Sequence, residues 1–112
     1  MSEEKLVEGG LYVISRKVDG YQVVKILKLD EGGVHIRLYS NIYPQPPTHV
    51  DESVLYMAGM ERKPDEEMGM GHLPISHASF AGWHARFVQQ STVSKEELEG
   101  YAMWKEANGG YF

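Results

Sequence analysis

Three histidines, His72, His77 and His84, fall within thirteen residues, and Met68 and Met70 precede them. Imidazole and thioether donors together would suit copper, and three imidazoles would suit zinc. Their intervals of five and seven match neither a helical pair four apart nor a strand pair two apart, so the spacing assigns no metal ligand. Ser76 stands beside His77, with Ser79 nearby, but adjacent residues rarely form a nucleophile and its base. The Gly-x-Ser-x-Gly turn that would expose such a serine is absent. Asp65, Glu66 and Glu67 offer paired carboxylates, yet in a loop bounded by proline and glycine they read as solvated charge. The glycines at 32–33, 69, 71 and 109–110 never join a Lys and a Ser or Thr in a phosphate loop. No catalytic residue, metal ligand or cofactor is assigned, and the reading leans away from an enzyme.

Residues that bind are better represented, because seven tyrosines supply apolar area with a polar handle. In the run Val34–Tyr39 the alternation sets Val34, Ile36 and Leu38 inward and His35, Arg37 and Tyr39 outward. Tyr43 and its prolines continue that outward row, and Trp83 joins the candidate binding surface. The same row becomes packing if a helix from the C-terminal part covers it. Pro44-Gln-Pro-Pro47 meets the spacing of a polyproline ligand, and Tyr21 and Tyr39 with Asp30 would build an aromatic cage in a curled barrel. A small-molecule or enzymatic pocket near Tyr39, Trp83 and His84 is the competing arrangement.

The elements that must hold these residues begin with three strands, 11–17, 21–29 and 34–39, a meander over about 10–40 turned at Asp19-Gly20 and Glu31-Gly32-Gly33. The second strand changes its buried side partway, which predicts a bulge or bend near 25–27. Pro44, Pro46 and Pro47 break the chain. Short strands are expected at 48–50 and 53–58, a mobile loop over 59–71, and an extended piece at 73–75. Ser76 is the expected N-cap of one or two helical turns running to Trp83, and a further strand follows at 85–90. Ser94 with Glu97 is a capping box for a helix over 95–107, which Asn108-Gly109-Gly110 closes and from which Tyr111-Phe112 turn back.

At 112 residues the chain is read as one domain, 1–112. It has no cysteine, which excludes disulfides and thiolate sites and fits a cytoplasmic location. No signal sequence or membrane span is read. The net charge of −5 divides into +2 over residues 10–40 and −7 over the rest. That is too little basic density for nucleic acid, and the acidic part would suit a partner protein with a basic surface. Self-association through an edge strand is a further expectation.

The bent three-strand run with its glycine turns resembles the start of an SH3-like or Tudor-like barrel. The C-terminal run, Gly71-His-Leu-Pro74, Glu96-Glu-Leu-Glu-Gly-Tyr101 and Trp104-Lys-Glu-Ala-Asn-Gly-Gly-Tyr-Phe112, is similar to a group of small uncharacterised bacterial proteins, some suspected of being immunity partners of toxins. The resemblance implies no catalytic residues. The expectation is an α+β fold, a small curled antiparallel sheet or SH3-like partial barrel with a short helix and a C-terminal helix. Its expected role is non-catalytic protein binding, of immunity or adaptor type.

Overall fold

Residues 6–112 are described by a computed structural model. Five strands, β1 (Gly10–Ser15), β2 (Tyr21–Leu29), β3 (Gly33–Leu38), β4 (Met70–Ser76) and β5 (Arg86–Gln90), form one antiparallel sheet in the order β4-β3-β2-β1-β5. Helix α1 (His77–Ala81) links β4 to β5, and a 3-10 turn at Glu96–Leu98 leads into helix α2 (Glu99–Glu106). The α+β class is as expected, an antiparallel sheet with a short helix and a C-terminal helix, and the sheet is open. β4 and β5 stand at opposite ends, and each outer edge is met by other parts of the chain. Ser76 and Pro74 exchange backbone hydrogen bonds with Phe112 at 2.9 and 3.1 Å, and Pro74's missing N–H faces that same edge, where no neighbouring strand needs it. On β5, the Gln89 amide accepts from Val50 N–H at 2.8 Å and donates to Val50 C=O at 3.0 Å, taking the place of a strand partner.

The first hairpin turns at Gly20, whose φ of +84° admits a glycine without strain, and Arg16 N–H closes the turn on the Gly20 carbonyl at 3.0 Å. The register between β2 and β3 shifts between Ile26 and Lys28, where the broken alternation places a bulge. The bulge lets Leu29 pack with Val24 and Ile26, a face that strict alternation would deny it. On that face Tyr12, Val24, Ile26, Val34, Ile36 and Ile75 meet Phe80 of α1 in a dry core. Truncating Ile36, which is fully buried, to alanine would cost about 2–5 kcal/mol. The opposite face carries a smaller apolar cluster, Leu11, Val23, Tyr39 and Val50, and beyond it a polar region beneath α2.

Ser76 caps α1 through its Oγ, which accepts from Ser79 N–H at 3.1 Å; the helix ends at Ala81 and a turn carries the chain through Trp83. The capping box forms: Glu97 N–H donates to Ser94 Oγ at 3.2 Å, and Ser94 N–H to Glu97 Oε1 at 2.8 Å. Asn108, at φ +54°, supplies the left-handed residue after α2. No strand forms at 48–50 or 53–58. Asp51 instead caps a 3-10 turn at Glu52–Val54, because its Oδ1 accepts from Ser53 N–H at 3.0 Å. Within the stretch expected to be loop, β4 already begins at Met70. Among the described residues no helix is long and apolar enough to cross a membrane.

Candidate functional site

β3 points His35, Arg37 and Tyr39 to the face opposite the dry core, as its alternation requires, and the C-terminal part covers most of that face. His35 is completely buried. Its ring lies edge-on to Tyr101, Trp104 and Tyr111, with centroids 4.6, 4.4 and 5.2 Å away, and lies end to end with the His72 ring, nearly in one plane, at a centroid distance of 5.1 Å. Both ring nitrogens are bonded. Nε2 meets Asp30 Oδ2 at 3.1 Å and the Tyr111 hydroxyl at 2.9 Å, and Nδ1 meets His72 Nε2 at 2.8 Å. An N–H on Nε2 suits the carboxylate, which leaves Nδ1 to accept from His72. Asp30 also accepts from Tyr101 at 3.3 Å and Tyr111 at 3.2 Å, while its backbone carbonyl meets His77 Nε2 at 2.7 Å.

The protonation of this group follows from its surroundings. Burial pushes His35 below the usual histidine value despite the Asp30 carboxylate, and burial together with the His35 charge does the same to His72. Burial works to raise the Asp30 carboxyl, but hydrogen bonds from Tyr111, His35 and Tyr101 outweigh it and hold the group low. Burial, then the Asp30 carboxylate, pushes Tyr111 up to about 12. The result is a neutral histidine pair wired to an ionised aspartate. Helix α2 reaches it because Gly100 lies against His72: a Cβ there would sit 2.6 Å from the His72 Cβ.

Beside this group lies an ion cluster. Lys25, on the same face of β2, donates to Glu97 Oε2 and to the Thr92 carbonyl, each at 2.8 Å. Arg37 approaches the same carboxylate at 3.5 Å and is half-buried, its Nε donating to the Gly71 carbonyl at 3.3 Å. Burial raises the Glu97 carboxyl, and the bonds from Lys25 and Ser94 more than offset it. Glu97 thus ties the helix start to the sheet with one oxygen while capping with the other.

The predicted outward row is therefore mostly interior, a correction whose cause is the covering by α2 and Tyr111. Tyr39 is buried in the smaller apolar cluster, and burial followed by the Glu97 charge raises its hydroxyl to about 12. Tyr43 is half-buried against that cluster and pairs backbone to backbone with Tyr21. Trp83 is half-buried on the other face, packed on Phe80 at 5.6 Å. A pocket shared by Tyr39, Trp83 and His84 does not form, because the sheet separates Tyr39 from Trp83. Nor does the Tyr21, Tyr39 and Asp30 cage, since Asp30 sits under Tyr101 and Tyr111. His72, His77 and His84 do not converge, and among the described residues no His, Asp and Glu group is arranged to hold a metal.

What the covered face leaves open is a segment for which the alternation implied strands. Ser40 N–H donates to the Tyr56 carbonyl at 2.8 Å, Ser40 Oγ accepts from Ala58 N–H at 2.7 Å, and the Asn41 amide bonds Val54 and Tyr56 at 2.9 and 3.0 Å. Ala58 in turn bridges Met68. Held this way, Ile42, Val54, Tyr56, Met57 and Met60 keep large apolar side chains in water, Met60 with 87% of its surface. Asp51, Glu52, Glu61, Asp65, Glu66 and Glu67 occur in the same stretch against only Arg62 and Lys63. Sequence reasoning misses Lys25, Tyr101 and Tyr111 and groups Asp30 with the wrong tyrosines; the one signal was polar groups at Lys25 and His35 on a sheet face that also carries Val23 and Leu11, which demanded partners.

Comparison with protein-family models, curated proteins and solved structures found no match to this chain.

Proposed function

We propose that the protein is a non-catalytic binding module of immunity or adaptor type, working in the cytoplasm on a protein partner with a basic surface. The observation that carries this reading is the stapled segment 40–60, where five large apolar side chains stay exposed beside an excess of carboxylates. Single exposed apolar residues are ordinary, but a group of them on an ordered segment marks a surface that another molecule covers. Methionine and tyrosine suit that use, one adaptable and one rigid with a polar tip. The surrounding carboxylates would speed encounter with a basic partner and make it salt-sensitive. The absence of cysteine and the C-terminal signature support the cytoplasmic, immunity-like form of the reading.

The test is site-directed photo-crosslinking in native-host cells, with a photoreactive residue at position 60 or, as control, at position 103 on α2, where Met103 is also exposed. Position 60 should capture one basic protein that position 103 does not, with a yield that falls as salt rises. The purified partner should then lose about tenfold or more in affinity for the Met57→Glu, Met60→Glu variant. Equal capture from both positions, or unchanged affinity in the variant, would sink the proposal.

A further inference from the structure

A cleft of about 580 Å³ opens between the β1–β2 hairpin and the turn that follows α1. Ile14 and Leu38 contribute apolar lining, Trp83 and His84 line it from the α1 side, and Arg16 and Lys17 line it from the hairpin. Trp83 is held in place by Phe80, and His84 by a left-handed backbone at φ +53°, a conformation that costs a non-glycine residue energy and gathers where side chains are positioned for use.

The polar groups are the informative part. The cleft is lined by two cations, Arg16 and Lys17, and by the Glu67 carboxylate, and the Asp19 carboxylate lies 3.9 Å from Arg16. The Arg16 side chain is only 13% exposed, with Nη1 donating to the Asp19 carbonyl at 2.9 Å. Its Nη2 is bonded to the carboxylate of Glu67, which reaches in from the loop before β4. A guanidinium fixed by one neighbour and facing a carboxylate across an apolar and aromatic floor is a carboxylate-binding position, occupied here by the chain's own side chain. Glu67 is partly exposed, so an incoming anion has a route to displace it.

We infer that this cleft binds a small planar aromatic carboxylate, with its ring against Trp83 and its carboxylate on Arg16 in place of Glu67. This site is separate from the protein-binding reading and does not depend on it. Lys17 at the rim adds attraction for the anion, and Ile14 and Leu38 exclude water from the ring.

Two tryptophans make the test internally controlled. In a two-dimensional NMR titration with 2-naphthoate, the Trp83 indole N–H should shift saturably. That of Trp104, bonded to the Gly110 carbonyl at 2.9 Å, should stay in place. The neutral isostere 2-naphthalenemethanol should bind about tenfold more weakly, and inorganic phosphate alone should leave Trp83 unmoved. Glu67→Gln should tighten naphthoate binding and Arg16→Gln weaken it, each by about tenfold, and two variants moving oppositely cannot both reflect lost folding. The inference is overturned if Trp83 shows no saturable shift, if Trp104 shifts with it, if the alcohol binds as well as the acid, if phosphate alone shifts Trp83, or if Glu67→Gln leaves affinity unchanged.

Discussion

Acidifying the solution should destabilise this protein through one contact, the 2.8 Å hydrogen bond between His35 Nδ1 and His72 Nε2. One nitrogen must donate and the other accept, so the bonded pair has room for one added proton and none for a second, which would set two N–H groups against each other. In the unfolded chain each imidazole takes its own proton near the ordinary value of 6.5. Burial sets both folded values lower, so the unfolded state binds more protons on the acid side, and stability present above the unfolded value is lost as pH falls below it. His72 is half-buried and its share is screened, so a net difference of one proton is the working figure. Between about pH 7.5 and about pH 5.5 that difference amounts to about 1.4 kcal/mol. Asp30 and Glu97 have depressed values and lose their contribution only in more acidic solution, outside this window. Urea unfolding followed by fluorescence at several pH values reads the effect. His35→Leu should start about 2 kcal/mol less stable at neutral pH, having stripped Asp30, Tyr111 and His72 of a partner, and should show at most half the wild-type pH dependence. A wild-type stability that is flat across the window, or an undiminished slope in the variant, refutes the reasoning.

Three further outcomes are expected. Gly100→Ala adds a methyl 2.6 Å from the His72 Cβ, so it should destabilise by about 1–3 kcal/mol despite alanine's better helix propensity, and a raised melting temperature would contradict the close approach of α2. Glu97→Gln keeps an acceptor for the capping box but leaves Lys25 without its carboxylate, costing about 3 kcal/mol in urea unfolding, while Lys25→Met combined with Glu97→Met should recover part of the loss. Ser40→Ala removes the acceptor for Ala58 N–H, so hydrogen exchange at Ala58 should accelerate and stability should fall by about 1–2 kcal/mol.

What the chain reveals by local pattern is the sheet. The alternation of Val34, Ile36 and Leu38, the phase break at Leu27 and Leu29, and the Ser94–Glu97 spacing are each set by neighbours a few residues apart, and each has its structural counterpart. The segment 53–58 misled because Val54 and Tyr56 alternate as in a strand, while Asp51 turns the backbone into a 3-10 helix and both side chains stay wet. The partners of the buried polar groups were illegible for another reason. Lys25 meets Glu97 across 72 residues and Asp30 meets Tyr111 across 81, and no local period encodes such pairs. His35 could be assigned to a face but not to water or interior, since that depended on an element sixty residues downstream.

The Asp30–His35–Tyr111 hydrogen bonds also bear on the order of events during synthesis. Vectorial translation delivers β1, β2 and β3 first, with Lys25 and His35 facing solvent beside Leu11 and Val23, and nothing then available can satisfy and cover that half of the sheet. Closure waits until Tyr111 has left the ribosome, and the loop it completes spans 81 residues. Until that moment the nascent meander is a half-finished surface with an apolar strip on view, so arrest of translation before residue 111 should leave a species prone to capture by chaperones rather than a smaller native one.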